Sequence, residues 1–387
     1  MVPIYQKKSN LILKIHAKVV IAYFCFLFFN IIYYLYFTNN WVCYVENGCS
    51  EFFYYALNGD SLKAYVPQLS LLIDGGFTTT NSVTGSYTVS YAYLISYIYY
   101  FLWLIFRFEI ENIFFFAFIL NNILIIISYV FFVKVGRDVI RMNMSFRWLY
   151  FLNPMLIYIS QMINKEVFLL AMVSMIAYYC TLKRRRIRNF IPYFFAIFII
   201  AFVRYPFILL GTLRFLIKRN QVSITRLIFF IVIILLVNGY RLSLVNYESS
   251  VELVKSDGIT MKAFEYNKYY LGSLLMAPLK IIGFFYDLIQ NLFTPYISDQ
   301  GKFNLNHIST IPIIIALLFQ YRSIIYFIKN PILALRGPFG PLLAFVLIYL
   351  TIISGNIYIH DRYLWPIMPL LVLILFGIRK KILRDRG

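Results

Sequence analysis

Long apolar runs, separated by short polar turns, occupy most of the chain. Two of them are "LIFFIVIILLVNGY" (Leu227 to Tyr240) and "IPIIIALLFQYRSIIYFI" (Ile311 to Ile328). A helix needs about 20 apolar residues to cross a bilayer, whereas the strands of a membrane β-barrel are short segments of alternating polarity. The pattern therefore predicts an all-α fold, a polytopic transmembrane helical bundle with about ten to eleven spans.

The apolar runs define one integral-membrane domain that covers residues 1–387. The predicted spans are His16–Phe37, Val89–Phe106, Ile113–Val133, Trp148–Ile163, Val167–Leu182, Phe190–Phe202, Pro206–Ile217, Leu227–Asn238, Ile311–Ile328, Pro341–Tyr358 and Leu364–Ile378. The first run is too long for a signal peptide and lacks a small-residue cleavage site, so we predict a permanent span. The segment Leu271–Phe293 carries Lys280 and Asp287 and is expected to lie along the membrane interface.

Charge sets the expected orientation. The net charge is +20, but only 13% of the residues are charged and 61% are hydrophobic. Basic clusters such as Lys183–Arg188 and Arg379–Arg386 lie at the ends of apolar runs. This is the positive-inside pattern, so we predict a multi-pass membrane protein that is surrounded by membrane lipid and does not bind nucleic acid.

Two long polar stretches, about 38–88 and 240–270, are predicted to be outer loops. The first holds Glu46, Glu51, Asp60 and Asp74 against the single basic residue Lys63. One conflict remains. The basic loops 134–147 and 183–188 should both lie inside, whereas the stretch before residue 89 should lie outside. The chain must then cross the membrane an odd number of times between residues 89 and 133, but two apolar runs are predicted there. Either one run is re-entrant or the loop 134–147 lies outside.

The spacing of the cysteine and histidine residues does not indicate a metal site. Cys43 and Cys49 are spaced for a disulfide in an outer loop, and the spacing is equally compatible with free thiols. Cys25 and Cys180 lie in apolar runs and are expected to be inert core residues. No cluster has metal-ligand spacing, so we predict no cofactor, although a need for a divalent cation stays open.

Asp60 is the first polar residue whose position suggests a chemical role. It lies in "NGDSLKAYVPQL" (Asn58 to Leu69), a short step beyond the first span. A solvated loop aspartate or a helix N-cap would explain it without function. Tyr65, in the same stretch, is a candidate to stack on a sugar face, and an interfacial aromatic belt is the alternative.

Further ionisable residues interrupt apolar sequence near predicted outer ends of spans. Lys165 and Glu166 form a polar turn between two runs, and Lys165 is a candidate anion ligand unless the two pair at the surface. Arg204 has no acidic neighbour in the chain and would suit a phosphate, a carboxylate or water. Snorkelling to the interface is the alternative.

His360 and Arg362 interrupt the last two apolar runs in "GNIYIHDRYLWPIMPLL" (Gly355 to Leu371). Arg362 has the fork geometry to hold a phosphate, and a loop ion pair with Asp361 is the alternative. Together, these residues predict an outward-facing pocket in which cations hold a lipid-linked phosphate. A carboxylate in that pocket would accept a proton from an attacking hydroxyl.

Three motifs resemble the GT-C class of integral-membrane glycosyltransferases, which take a sugar from a polyprenyl-phosphate carrier at the outer membrane face. They are "GDSLKAYVPQLSLLIDGG" in the first outer loop, "NPMLIYISQMINKE" and the late "HDRYLWPIMPLL". The resemblance covers a minor part of the chain. It implies that Asp60 is the catalytic base and that Arg362 and Lys165 bind phosphate, while Arg204 joins them only from its position.

The chain departs from many members of that class, since Asp60 has no acidic neighbour and no soluble C-terminal domain follows. The resemblance implies an inverting transferase whose partners are a polyprenyl-phosphate-linked sugar donor and a glycan or lipid-linked acceptor. The composition also resembles O-antigen polymerases of the Wzy type, which join lipid-linked repeat units. A lipid-linked sugar flippase is the third hypothesis, although no internal repeat of the kind common in transporters is evident.

Overall fold

The computed structural model describes a mostly helical chain. It describes residues 16–32, 34–35, 66–74, 89–108, 112–142, 144, 146–160, 163, 165–182, 190–218, 221–243, 278–279, 281–283, 286, 314–315, 318–337, 339–354 and 363–384. Asp60, Tyr65, His360 and Arg362 lie outside the described residues, as do Cys43 and Cys49.

The first half of the described chain contains seven α-helices. They are α1 (His16–Ile32), α2 (Val66–Ile73), α3 (Val89–Phe106), α4 (Ile113–Lys134), α5 (Pro154–Ser160), α6 (Lys165–Thr181) and α7 (Phe190–Val203). A π-helical turn, Val135–Val139, extends α4, and a 3-10 helix, Arg147–Leu152, precedes α5. Arg141, just after the π turn, has a positive φ of 57°, so the chain reverses sharply there.

The second half begins with a 3-10 helix, Tyr205–Thr212. It continues with α8 (Leu213–Leu216), the paired strands β1 (Ile217–Lys218) and β2 (Gln221–Val222), α9 (Ile224–Ser243), α10 (Tyr321–Lys329), α11 (Pro331–Arg336), α12 (Gly340–Ile353) and α13 (Met368–Arg384). The strands are antiparallel, with Ile217 opposite Val222, and form a minimal hairpin that carries the chain from α8 into α9.

Prolines lie at the start of helices in two of the predicted spans. The run Trp148–Ile163 is a 3-10 helix followed by α5, which starts at Pro154. The run Pro206–Ile217 begins as a 3-10 helix and becomes α-helical only at Leu213. Proline cannot donate a backbone hydrogen bond and restricts the residue before it, so an apolar run of spanning length need not form one continuous helix.

One described helix is long and apolar enough to cross a membrane, namely Ile113–Val139, which is α4 with its π turn. Shorter apolar helices accompany it, and they comprise His16–Ile32, Ile95–Phe106, Phe190–Ala201, Ile224–Tyr240, Gly340–Ile353 and Met368–Ile378. The structure therefore establishes a helical chain with one span-length helix.

Several helix ends that carry basic residues meet at one end of the molecule, which we call the basic end. Nη2 of Arg147 lies 3.4 Å from Nδ1 of His16, at the start of α1. Lys134 Nζ lies 5.6 Å from the ring of Tyr178, near the end of α6. Phe146 stacks on Phe376 of α13, at a centroid distance of 5.0 Å.

The loop 134–147 is part of the basic end. Because Arg147 reaches the start of α1, this loop lies at the same end as the start of the chain's first helix. The hydroxyl of Tyr178 donates to Oδ2 of Asp138 at 3.2 Å, so the last turn of α6, just before the basic cluster 183–188, lies there too. The α4 helix thus begins at the opposite end.

The core lies between α4, α6, α7 and α12. Nearly all of α6 is buried, and the α6 helix packs on both α4 and α7. The α12 helix is also buried along most of its length. This arrangement places the start of α6 and the junction after α7 side by side at the end opposite the basic end, because both helices run between the same two ends.

Candidate functional site

The structure describes three of the predicted site residues, Lys165, Glu166 and Arg204. All three lie at the end opposite the basic end, although 38 positions separate Glu166 from Arg204 in the chain (204 − 166 = 38). Lys165 and Glu166 begin α6, and Arg204 follows the last residue of α7. The antiparallel packing of α6 and α7 explains why residues so far apart in sequence lie at the same end.

Lys165 and Glu166 are buried, with 5% and 2% of their surface exposed. A simple surface pair is therefore the wrong interpretation of this turn. The first turn of a helix carries a partial positive charge from unpaired backbone N–H groups, which stabilises the carboxylate of Glu166. Buried charged groups are costly unless they are satisfied, so their presence here marks a polar site inside the protein.

Arg204 lies at a break between two helices. Its backbone is extended, with φ −159° and ψ 90°, because it lies between the last turn of α7 and the 3-10 helix that contains Pro206. Its Cζ atom lies 4.1 Å from the centre of the Tyr363 ring and 5.7 Å from that of Phe207. The guanidinium group is therefore held by aromatic faces within the protein and is not simply snorkelling.

Tyr349 of α12 connects the two parts of the cluster. Its hydroxyl donates a hydrogen bond to the carbonyl oxygen of Tyr363 at 2.6 Å. Its ring packs on Phe207 with a centroid distance of 4.8 Å. The Tyr349 hydroxyl lies within electrostatic range of both Arg204 and Glu166. We call Lys165, Glu166, Arg204, Tyr349 and Tyr363 the polar cluster.

The polar cluster brings a carboxylate, two cations and two aromatic rings to one place. Guanidinium and ammonium groups bind phosphate oxygens, and the weak hydration of guanidinium favours that role in a partly buried site. A low-dielectric surrounding strengthens each of these interactions relative to water. The arrangement is chemically suited to an anion that is linked to an apolar or sugar-like group.

Tyr349 and Tyr363 were not singled out as site residues by sequence reasoning. Tyr363 directly follows Arg362 in the motif "HDRYLWP", so its place beside a candidate site residue could have identified it from the sequence. Tyr349 lies in the middle of an apolar run, "GPLLAFVLIYLTII". A single tyrosine in such a run has no pattern that distinguishes it from core, so only packing against Phe207 and Tyr363 reveals its position.

The described residues show no group of three or more His, Cys, Asp and Glu side chains that could hold a metal ion. Cys180 is buried as expected, whereas Cys25 is exposed on α1, so its assignment to the core was wrong. Cys25 lies on the outer face of α1, beside the exposed ring of Phe24.

Comparison with known proteins gives no match: no family model, no curated protein and no solved structure is significantly similar to the chain. The functional argument therefore depends on the polar cluster and on the sequence motifs.

Proposed function

We propose that the protein is a polytopic membrane glycosyltransferase that acts at the outer face of the bacterial inner membrane. It would move a sugar from a polyprenyl-phosphate-linked donor to a glycan or lipid-linked acceptor during surface polysaccharide assembly. The observation that carries the proposal is the polar cluster, in which Lys165, Glu166 and Arg204 converge at the end opposite the basic end.

Exposed apolar faces support the membrane part of the proposal. Large apolar side chains cover the outer surface of several helices, and examples are Phe24 and Phe28 of α1, Ile191, Phe194 and Phe198 of α7, and Ile228, Phe229 and Val237 of α9. Patches of this size are rare on monomeric soluble proteins but are expected on helices that face lipid. Under the positive-inside rule, the basic end would face the cytoplasm and the polar cluster the outside.

In the proposed mechanism, Asp60 accepts the proton of the acceptor hydroxyl while the oxygen attacks the anomeric carbon. The new oxygen–carbon bond forms as the bond between the anomeric carbon and the phosphate oxygen breaks. The electron pair of that bond leaves with the polyprenyl phosphate, and direct displacement inverts the anomeric centre. Arg204, Lys165 and Arg362 would hold the leaving phosphate and stabilise its growing charge.

Glu166, Tyr65 and His360 have binding roles in this proposal. Glu166 would orient the basic side chains of the polar cluster, because a carboxylate attracts ammonium and guanidinium groups. Tyr65 would stack on a sugar face, and His360 would contact the phosphate beside Arg362. No step uses a metal ion.

The proposal is tested first in cells that naturally carry this chain. Surface polysaccharide from the wild type, a deletion strain and strains with Asp60→Ala or Arg204→Ala would be separated by gel and its sugar composition measured. We expect an intact ladder whose repeat unit lacks one sugar in the deletion strain and in both variants. An unchanged ladder with unchanged sugar composition in the deletion strain would contradict the proposal.

Two other outcomes identify the alternatives. Loss of the long ladder with one repeat unit remaining would show a Wzy-type polymerase, because joining of repeat units would be missing. Accumulation of complete lipid-linked units on the inner face, with none outside, would show a flippase. Either outcome would replace the single-sugar transferase proposed here.

A further inference from the structure

A second group of polar side chains lies between α1, α4 and α5, inside otherwise apolar packing. Asn30, Asn121, Asn122 and Ser160 are all buried, and we call them the amide network. Ser160 Oγ donates to Asn30 Oδ1 at 2.5 Å, and Asn30 Nδ2 donates to Asn122 Oδ1 at 3.3 Å. The network therefore connects the first helix to the end of α5 through side chains 130 positions apart.

Asn121 extends the network to the backbone of α5. Its Nδ2 donates to the carbonyl oxygens of Ser160 at 3.0 Å and of Ile159 at 3.4 Å. The last carbonyls of a helix have no partner within the helix, and in an apolar surrounding each unsatisfied carbonyl is costly. Asn121 thus satisfies the end of α5 and fixes the depth at which this short helix stops.

The end of α5 leads directly to the polar cluster. Only the residues 161–164 separate Ser160 from Lys165, and Ile163 between them is 1% exposed. Because the connection is short and Ile163 within it is buried, the positions of the end of α5 and the start of α6 are closely coupled. Any displacement of Ser160 would move the start of α6, where Lys165 and Glu166 lie.

On the other side, the network holds α1. We propose that the amide network is a positioning element, which fixes the end of α5 against α1 and thereby the placement of the start of α6, where Lys165 and Glu166 lie. Its effect on catalysis rests on the proposed function, whereas its effect on the turn does not.

The chain offers a matched control. Ser128 of α4 lies 2.9 Å from Ser174 Oγ of α6 and donates to the carbonyl of Leu170 at 3.2 Å. Tyr150 donates to the same Ser128 oxygen at 2.8 Å. This hydroxyl group also joins three helical elements through buried hydrogen bonds, and none of these bonds among the described residues involves α1 or α5.

The first test is hydrogen exchange of the purified protein in lipid nanodiscs. We expect Asn121→Leu and Asn30→Leu to raise the exchange rate of peptides covering residues 155–166 by about three- to thirtyfold, the effect of losing one or two interhelical hydrogen bonds. Ser128→Ala should leave those peptides unchanged. An unchanged exchange rate at 155–166 in both asparagine variants would overturn the inference.

The second test measures transfer of tritiated sugar from a polyprenyl-phosphate-linked hexose to membranes of the deletion strain. We expect Asn121→Leu to lower kcat about 10- to 100-fold with a smaller change in the donor KM, because Arg204 and Arg362 still bind the phosphate while Lys165 is displaced from the charge that grows in the transition state. Ser128→Ala should keep both constants. Faster exchange at 155–166 with unchanged kcat would overturn the positioning role.

Failure of the proposed function gives a different result. If the wild-type protein transfers no sugar while its folding and exchange pattern are normal, the transferase proposal is wrong. The exchange measurement alone then decides the inference: faster exchange at 155–166 in the asparagine variants supports a network that holds the turn, and unchanged exchange overturns it.

Discussion

Arg204 and Arg214 make the same kind of aromatic contact at opposite ends of the helices. Arg204 Cζ lies 4.1 Å from the Tyr363 ring, and Arg214 Cζ lies 4.0 Å from the Phe190 ring. Both arginines gain from stacking on a ring face, a contact that a lysine ammonium reproduces poorly because it is neither planar nor delocalised. Only Arg204 belongs to the polar cluster, so the pair separates local stacking from function.

We expect Arg204→Lys to reduce sugar transfer about 3- to 30-fold, the factor that corresponds to losing a partly desolvated cation–π contact. Transfer would be measured with the tritiated polyprenyl-phosphate-linked hexose. Arg214→Lys is the control and should leave transfer within about twofold of wild type. Equal losses in the two variants would mean that stacking matters for folding and not for the site.

Tyr349 and Tyr99 provide a second matched pair at the residue scale. Both are buried, but the Tyr349 hydroxyl donates to the Tyr363 carbonyl, whereas that of Tyr99 has no hydrogen-bond partner in the described part of the chain. Tyr349→Phe should lower the melting temperature in detergent by roughly 2–5 °C, because it leaves a partly buried carbonyl without this donor. Tyr99→Phe should leave the melting temperature unchanged or raise it. A larger decrease in Tyr99→Phe than in Tyr349→Phe would contradict the assignment.

At the scale of elements, hydrophobicity along the chain located the helices better than it located their breaks. The predicted run Ile113–Val133 corresponds closely to α4, and Phe190–Phe202 corresponds to α7. The run Leu227–Asn238 is part of the longer α9, Ile224–Ser243, in which the side chain of Asn238 donates to the Thr351 carbonyl of α12 at 3.0 Å.

Gly340 starts α12 at a point where two backbones approach closely. A Cβ atom there would lie 1.8 Å from the carbonyl oxygen of Leu335, whereas one at Gly337 would lie 3.3 Å from that of Ala334. We expect Gly340→Ala to destabilise the protein by about 1–3 kcal/mol, because a backbone oxygen cannot move aside as a flexible side chain can. Thermal unfolding in detergent should show a smaller loss for Gly337→Ala, and equal losses would contradict this explanation.

At the scale of the whole molecule, the two ends of α4 provide a test of orientation. Phe108, just after Arg107, stacks on Phe116 near the start of α4, with ring centroids 4.2 Å apart. Arg137 follows the other end of α4, and 68% of its side chain is exposed. If the helix crosses the membrane as proposed, these two arginines face opposite compartments.

In a variant without Cys25, Cys43, Cys49 and Cys180, a cysteine replacing Arg107 should react with a membrane-impermeant maleimide on intact cells from which the outer membrane has been removed. A cysteine replacing Arg137 should react only after the inner membrane is permeabilised. Labelling of both positions from outside would contradict the proposed orientation, and labelling of Arg137→Cys alone would invert it.

In the candidate site, too, some residues are evident from the local sequence, whereas others are revealed only by contacts between distant parts of the chain. Lys165, Glu166 and Arg204 stand out in sequence because charged side chains interrupt apolar runs, and the structure places all three at one end. The asparagines of the amide network also interrupt apolar runs, as in "FILNNILIII", but were not selected as site residues. Their neutral side chains occur in many helices as simple interhelical contacts, so sequence alone does not distinguish a positioning role.

By itself, the sequence determined the helical character of the chain, the apolar faces, the basic clusters and the residue types available for chemistry. These properties depend on composition and on periodicity over a few turns. Only the tertiary structure decided that the loop 134–147 meets the start of α1, that Lys165 and Glu166 are buried, and that Arg204 stacks on Tyr363. Such contacts join residues tens to hundreds of positions apart, and the packing of whole helices, which no local pattern encodes, brings them together.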